Sequence, residues 1–528
     1  MRTAFLYLAM LLAAAPFPVC PQDNRPPAAA EQPKFDILEF VIEGNSVLPV
    51  IAVERAVMPY LGERKTIDDV ERARSALEKA YQAAGFLTVV VDIPEQKVDN
   101  GMVRLRATEG RVERLRITGS RYYTLGGIRS KVPELAKDSI PNFPEVQRQL
   151  AQLNRSEDRR VTPILKSGKT PGTVEIDLKV EDRLPFHGEL ELNNRSSANT
   201  KSLRAAGSVR YDNLWQRDHS VGVAYQTTPQ KLSEVQVLSG TYVVPNVHDD
   251  HLLALYGVKS NSDLAAIGAL NVVGRGRIYG ARYIIPMQGS DTLVRSFTLG
   301  IDHKRFDDTV NLTEAGGFST PITYTPMVAQ ISQTLREKQA TTQFGATATF
   351  APRGIFGNSD DEFQAKRARA LSNFLAVKAE LSRQQTVAGP FRVYAKVDGQ
   401  LASGALISNE QFVAGGAETV RGYREAEQIG DDGVHGTLEL RYVLAEAARE
   451  ARLNDFHVHA FVDAAASRVR EPLPEERSHA QLASTGLGFR LRAYRGVRLQ
   501  ADAAYVLRAT TFTKSGDIRV GFRLAYEF

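Results

Sequence analysis

The last twelve residues of the chain, 517–528, alternate strictly between apolar and polar or small side chains. The apolar positions are Ile518, Val520, Phe522, Leu524, Tyr526 and Phe528. A period of two is typical of a β-strand, because successive side chains point to opposite faces. A tilted strand of about ten residues can cross a bilayer, with one face towards lipid and the other towards a wet lumen. The segment therefore predicts a membrane-spanning strand, provided that the rest of the chain repeats it. Tyr526 and Phe528 form its C-terminal signature.

The same alternation recurs from Arg183 onward, in about sixteen segments of similar length. Connections from even to odd segments are short, as at 215–218 and 245–250, whereas those from odd to even are longer. The long ones are expected at 310–321, 354–369, 404–433 and 467–478. Short periplasmic turns and long outer loops are typical of outer-membrane barrels, whereas the strands of a soluble β-sandwich would be shorter. The pattern predicts a 16-stranded antiparallel transmembrane β-barrel over 183–528.

The preceding segment, 35–182, mixes helical and strand patterns in two similar cycles. In the first cycle a cap-like Thr-x-x-Asp start is followed by Val70, Ala73, Leu77 and Tyr81 at helical spacing. Each cycle reads as a β-α-α-β-β module of about 75 residues, one at 35–110 and one at 111–182. The predicted fold class is therefore α+β modules followed by an all-β barrel.

The N-terminus has the layout of a secretory signal. Arg2 precedes an apolar stretch that ends at Cys20, and a Pro-rich polar segment follows. We expect a signal peptide at 1–20, with its cleavage site left open, and a linker at 21–34. A membrane anchor is the alternative, but prolines interrupt a run that is already short for spanning. Cys20 is the only cysteine, so no disulfide can form within the chain.

Composition and motifs exclude several other classes of function. A net charge of +5 with no basic run offers no nucleic-acid surface. The chain has no GxxxxGK[ST], GxSxG or HExxH motif, so we expect no enzyme, cofactor or metal. His457 and His459 share one face of a strand, where lining the lumen is a simpler reading than metal binding. The VHDDH segment, 247–251, reads as a solvated turn.

The long connection 404–433 is the main candidate for function, because idle loops of this length are uncommon. Gly415, Gly416 and Gly422 permit backbone conformations closed to other residues. Arg421 lies between apolar neighbours, and a buried guanidinium requires a carboxylate, ideally in a bidentate arrangement.

Strand parity supplies the expected partners on the barrel wall. If the apolar residues Val458, Ala460, Val462 and Ala464 face the lipid, the alternate residues Phe461 and Asp463 face the lumen. The same alternation on its own strand turns Glu439 towards the lumen. We expect Asp463 to pair with Arg421 and Phe461 to provide an apolar seat.

Together these features resemble the Omp85 superfamily, and in particular its two-partner secretion transporters, the TpsB or haemolysin-activator family. The residues that carry the resemblance are Val420-Arg421-Gly422-Tyr423, the following GDDG and ELRY, and the FVDAA segment. Two modules of the POTRA (polypeptide-transport-associated) type before sixteen strands agree with it. The resemblance implies a loop folded inside the barrel, with Arg421 against Asp463, and export of one large unfolded exoprotein of the adhesin or haemolysin type. The family's N-terminal plug helix has no counterpart in the few residues before Phe35, so we expect the loop alone to occlude the pore, or the pore to be leakier.

Three functions compete on this evidence. The favoured one is an outer-membrane translocase of a Gram-negative cell, with its POTRA modules in the periplasm. Its partners are a secreted TpsA-type client, membrane lipid and the barrel-assembly machinery that inserts it, and it acts as a monomer. An assembly factor for other barrels would share the loop motif but would more often carry additional modules. A passive porin would leave the modules and the loop without a purpose.

Overall fold

The computed structural model describes residues 33–198, 200–248, 250–262, 264–267, 270–312, 316–450, 453–474, 476–493 and 496–528. The expected signal peptide and nearly all of the linker lie outside these ranges. The chain divides into two compact units. One contains the described residues up to 120 together with 128–181, and the other contains 121–127 and 182–528.

The first module of the N-terminal unit packs helices on a three-stranded sheet. The sheet has the order Glu39–Glu43, Met102–Glu109, Val89–Asp92, with the first pair parallel and the second antiparallel. Its helices are Val50–Val57 and Ile67–Ala83, with a 3₁₀ turn at Met58–Tyr60, and a short ribbon pairs Phe35–Ile37 with Gly62–Lys65. All four residues predicted at helical spacing are buried on the longer helix.

The longer helix begins where the sequence predicts. Thr66 and Asp69 form a capping box, in which the Asp69 carboxylate accepts from the Thr66 N–H at 2.9 Å. This hydrogen bond from the backbone N–H lowers the pKa of the Asp69 carboxyl.

The second module repeats the architecture of the first. Its sheet has the order Arg111–Thr118, Thr173–Asp182, Arg159–Ser167, again with a parallel first pair. Its helices are Leu125–Ser130 and Phe143–Leu153, with a 3₁₀ turn at Pro133–Leu135. In both modules the last strand therefore pairs in parallel with the first.

The C-terminal unit is a closed antiparallel barrel, which confirms the predicted fold class. Its strands are Phe186–Asn193, Arg204–Leu214, His219–Thr227, Gln236–Val244, Leu252–Ser260, Gly276–Ser290, Leu293–Leu312, Gly316–Tyr324 continued by Met327–Arg336, Ala340–Phe350, Leu375–Ala388, Phe391–Ala402, Asp432–Val443, Leu453–Arg468, His479–Ala493, Val497–Val506 and Ile518–Glu527. Gly316–Tyr324 and Met327–Arg336 pair with the two halves of Leu293–Leu312, so they count as one strand and the described residues form sixteen. The last strand closes on the first.

The predicted loop at 310–321 is wrong. Leu293–Leu312 and Gly316–Tyr324 are paired within that segment as far as Leu312 opposite Gly316, and Asp307 lies opposite Pro321. Proline is tolerated because Gly316–Tyr324 pairs on one side only, and an edge position does not need its missing N–H. The outer connections also contain short elements, namely the hairpin Leu264–Ile267 with Leu270–Val273 and the helix Asp360–Lys366.

Strand parity follows the sequence prediction. Along Leu453–Arg468, exposed Val458, Ala460, Val462 and Ala464 alternate with buried residues that face the lumen. The even-to-odd connections are mostly tight, as at 291–292 and 389–390, although 444–452 contains the short helix Ala445–Glu450. Among the described residues, no helix combines the length and apolar character that crossing a bilayer requires.

Candidate functional site

The connection between Phe391–Ala402 and Asp432–Val443 folds back against lumen-facing side chains of the barrel. It contains a 3₁₀ turn at Ser408–Glu410 and a small hairpin that pairs Phe412–Ala414 with Gln428–Gly430. Gly415, Gly416 and Gly422 all have positive φ, of 100°, 113° and 93°. These are conformations that favour glycine, and they let the chain reverse direction on either side of the segment that carries Arg421.

Arg421 is buried against the strand Leu453–Arg468. Its Nε lies 2.7 Å from Oδ2 of Asp463 and its Nη2 lies 2.8 Å from Oδ1, in a bidentate arrangement. The Arg421 backbone N–H also donates to Asp463, at 3.1 Å. The guanidinium carbon lies 3.5 Å from the ring centroid of Phe461. The structure thus brings together the arginine, the carboxylate and the aromatic residue that the sequence singled out.

Two further carboxylates surround the same guanidinium. Its Nη1 lies 2.8 Å from Oε1 of Glu439 and 3.5 Å from Oδ1 of Asp502. Glu439 is also paired with Arg441, and Asp502 lies 2.7 Å from Nε2 of His459. Each carboxylate therefore has more than one cationic or polar partner, which buried charges require.

The sequence reasoning missed Asp502 as a member of this site. Asp502 lies on Val497–Val506, two strands away from Asp463 in the barrel. Parity places it in the lumen, but lumen-facing polar residues are common and nothing local distinguishes it. His459, which was expected only to line the lumen, contacts the site through Asp502.

The neighbours of Arg421 in the loop motif fix its position through burial, hydrogen bonding and close contact with the barrel wall. Val420 is fully buried, and the Tyr423 hydroxyl, with its one hydrogen, lies within donating distance of two carbonyl oxygens, that of Arg508 at 2.7 Å and that of Ala483 at 2.9 Å. Gly422 lies so close to Val497–Val506 that an added Cβ would be 3.1 Å from the Ala504 side chain. A side chain at residue 422 would therefore require the wall to shift by a few tenths of an ångström, in addition to the strain of a positive φ.

A second polar anchor, also missed, lies at the C-terminal base of the loop. Asp431 is fully buried and accepts from Arg367 Nη1 at 2.5 Å and Nη2 at 3.0 Å. It also accepts from the backbone N–H groups of Leu406, at 2.8 Å, and Arg470, at 2.6 Å. Asp431 thereby ties together three outer connections, 351–374, 403–431 and 469–478.

The C-terminal signature residues lie at the closing seam of the barrel. Tyr526 pairs in register with Leu190, and Phe528 exchanges two backbone hydrogen bonds of 3.0 Å with Gly188. Both aromatic rings are about half exposed on the outward face and lie 5.8 Å apart in a stacked arrangement. The structure therefore places these residues on the outward face at the end of the last strand.

A family model described as haemolysin secretion/activation protein ShlB/FhaC/HecB matches residues 172–491, which is more than half of the chain. The chain belongs to this family. A second model, the ShlB-type POTRA domain, matches residues 35–110. The family assignment confirms the resemblance to two-partner secretion transporters, and with it an outer-membrane location and periplasmic POTRA modules.

Individual relatives agree with the family assignment. The outer membrane transporter CdiB of Dickeya dadantii is 21% identical over 426 residues, covering 78% of this chain and 73% of that protein. The heme/hemopexin transporter protein HuxB of Haemophilus influenzae is 19% identical over 422 residues, covering 76% and 71%.

Solved structures agree with the fold. That of CdiB from Escherichia coli superposes with a TM-score of 0.65 at 17% identity, covering 97% of this chain and 93% of that one. BamA from Haemophilus ducreyi, lacking POTRA domains 1–3, gives 0.57 at 12% identity, covering 94% and 100%.

This member of the haemolysin secretion/activation family is thus an outer-membrane transporter of the two-partner secretion type. The family consists of transporters rather than enzymes, and the absence of catalysis in this chain stays a prediction.

Proposed function

We propose that this chain exports one large exoprotein of the adhesin or haemolysin type, which it receives unfolded in the periplasm and passes through the barrel. The observation that carries the proposal is the long loop anchored in the lumen through Arg421. A plain diffusion pore has no need for a loop tied to three carboxylates on three strands, of which Asp463 supplies the bidentate pair.

The two POTRA modules would capture the client by adding it to a sheet edge. Val89–Asp92 and Arg159–Ser167 are edge strands of their respective sheets, with one row of backbone groups unpaired within the sheet. Backbone pairing at such an edge tolerates varied side chains, which suits a client in extended form. Movement then needs no nucleotide, because folding of the client outside the cell makes its passage effectively one-way.

The Arg421 contacts would hold the loop in one position during this process. The barrel wall supplies the carboxylate of Asp463 and the aromatic ring of Phe461 that contact Arg421, so the loop can be fixed without a covalent bond. The signal peptide at 1–20, insertion by the barrel-assembly machinery through the strand ending in Tyr526 and Phe528, and action as a monomer belong to the same proposal.

The experiment compares proteins secreted by a deletion strain, the restored strain and a strain restored with Arg421→Ala. The matched control is Arg383→Ala, at an outward arginine on Leu375–Ala388 whose Nη1 lies 3.0 Å from Glu337. We expect one large protein to disappear from the medium on deletion, to return with the control, and to stay absent with Arg421→Ala. Loss of many outer-membrane proteins with an unchanged medium would support an assembly factor instead, and no change in either would leave a porin.

A further inference from the structure

Three basic side chains form a row on the outward face of the barrel. Lys259, Arg277 and Arg305 lie directly opposite one another on three adjacent strands, and all three are exposed. Each of the three side chains points away from the lumen, because its neighbour on the strand is buried on the opposite, lumen-facing side. These buried neighbours are Val258, Ile278 and Phe306. Adjacent strands are about 4.8 Å apart, so the row spans about 10 Å.

The row lies at the outer end of the barrel wall, above a membrane-facing surface. Going along the strands towards the periplasm, the next outward row contains Gly257, the exposed Tyr279 and His303. The row after that is apolar and consists of Leu255, Ala281 and Ile301. The outward surface of a membrane barrel is apolar beside the hydrocarbon, aromatic at the interface and charged at the level of the lipid headgroups. The three rows follow this order.

Protein groups balance this charge only in part. Arg305 lies 3.7 Å from the exposed Asp307, but across the described parts of the chain neither Lys259 nor Arg277 has an ion-pair partner. Like charges directly opposite one another on neighbouring strands are destabilising. A surface groove continues beyond the row, and there Lys231 lies 4.0 Å from Glu234.

The other side of the barrel shows that an outer rim does not require such a row. On Phe391–Ala402 and Asp432–Val443 the outward residues are apolar as far as Leu401, 69% exposed, and Val434, 49% exposed, and the next residue of that parity, Asp432, is acidic and buried. The basic row is therefore a local feature of three strands.

We propose that Lys259, Arg277 and Arg305 form a binding site for the phosphorylated glycolipid of the outer leaflet, lipid A. Its two phosphates carry the charge that the row lacks, and its acyl chains lie beside the aromatic and apolar rows below. Arginine suits this role because its planar guanidinium contacts phosphate oxygens in bidentate fashion. Glycolipid bound at this site would hold the barrel upright in the leaflet beside the projecting hairpin formed by Leu293–Leu312 and Gly316–Tyr324.

Native mass spectrometry of the purified full-length protein in detergent tests this site. The probe is diphosphoryl lipid A, and the variant is Arg277→Gln/Arg305→Gln. The charge-matched control is Arg295→Gln/Arg383→Gln, which removes two outward arginines near the periplasmic ends of their strands. Folding of each variant is checked by heat-modifiable mobility on a gel.

We expect the wild type and the control to bind lipid A equally, and the Arg277→Gln/Arg305→Gln variant to bind about tenfold more weakly. Wild-type affinity equal to that of this variant would overturn the proposal. If the variant fails to fold, the wild type alone tests the proposal, because its binding of different lipids can be compared. Binding of dephosphorylated lipid A or of phosphatidylglycerol as tightly as diphosphoryl lipid A would equally refute a glycolipid phosphate site.

Discussion

Replacing Arg421 by methionine should release the loop from the barrel wall. The substitution keeps much of the side-chain volume over Phe461 but removes the positive charge that three buried carboxylates face. Asp463 is fully buried and would keep only Thr437, whose hydroxyl donates at 2.9 Å, and the backbone N–H of residue 421. Glu439 would keep Arg441 and Asp502 would keep its contact with His459, so most of the cost falls on Asp463.

The size of the effect follows from burial. Removing one partner of a buried ion pair costs about 3–5 kcal/mol, because the other charge stays buried and unpaired. The remaining hydrogen bonds to Asp463 favour the lower figure. At about 1.4 kcal/mol for each factor of ten, about 3 kcal/mol corresponds to about 150-fold in the equilibrium between the docked and the released loop.

Cysteine labelling reads out this equilibrium. Val420→Cys, in a Cys20→Ser background, places a thiol at a position that is 0% exposed while the loop is docked. We expect a membrane-impermeant maleimide to label it slowly in the parent and about 150-fold faster when Arg421→Met is added. Ser515→Cys, at an exposed position of an outer connection, is the control and should label at the same rate in both backgrounds. A Val420→Cys labelling rate that changes by less than twofold would refute the reasoning.

Three other changes should separate the parts of the molecule. Gly422→Ala, at φ 93° with its Cβ 3.1 Å from the wall, should release the loop by about 1–3 kcal/mol in the same labelling assay, whereas Gly404→Ala, with open space around it, should have no effect. Arg367→Gln should leave Asp431 short of its charge partner and make the outer connections about 3 kcal/mol easier to open, seen as faster cleavage by added protease; an unchanged cleavage rate would contradict this. Leu77→Ala, in the core of the first module, should cost that module about 2–5 kcal/mol and lower secretion, while the heat-modifiable mobility of the barrel stays unchanged.

Strand parity allowed the sequence to predict much of the candidate site. A period of two fixes which residues face the lumen once one lipid-facing row is recognised, so Asp463 and Glu439 could be assigned inward. The need of a buried guanidinium for a carboxylate then selected Asp463 as the partner of Arg421. The pairing therefore needed only the strand count and the chemistry of charge.

Contacts between strands or connections that are not neighbours in the barrel could not be predicted in the same way. Asp502 reaches Arg421 from two strands beyond Asp463, and no local pattern encodes that approach. Asp431 collects donors from connections far apart in the chain, so its role appears only in three dimensions. The segment 310–321 contains Gly316, Gly317 and Pro321, and these residues indicate a loop by their usual preferences. They were overridden because an edge strand can accept them.

The two anchors of the long loop, one in its interior and one at its C-terminal base, act through the same chemistry. Arg421 is a cation on the loop held by carboxylates on the wall, whereas Asp431 is a carboxylate on the loop held by Arg367 from another outer connection. A buried ion pair adds little net stability over an apolar contact of the same shape, but it strongly disfavours any arrangement that leaves one charge unpaired. An apolar loop could slide along the lumen with little change in energy. A loop with one buried cation and one buried anion, each with fixed partners, has one docked position, and moving either anchored part away from it requires a buried ion pair to be broken or replaced.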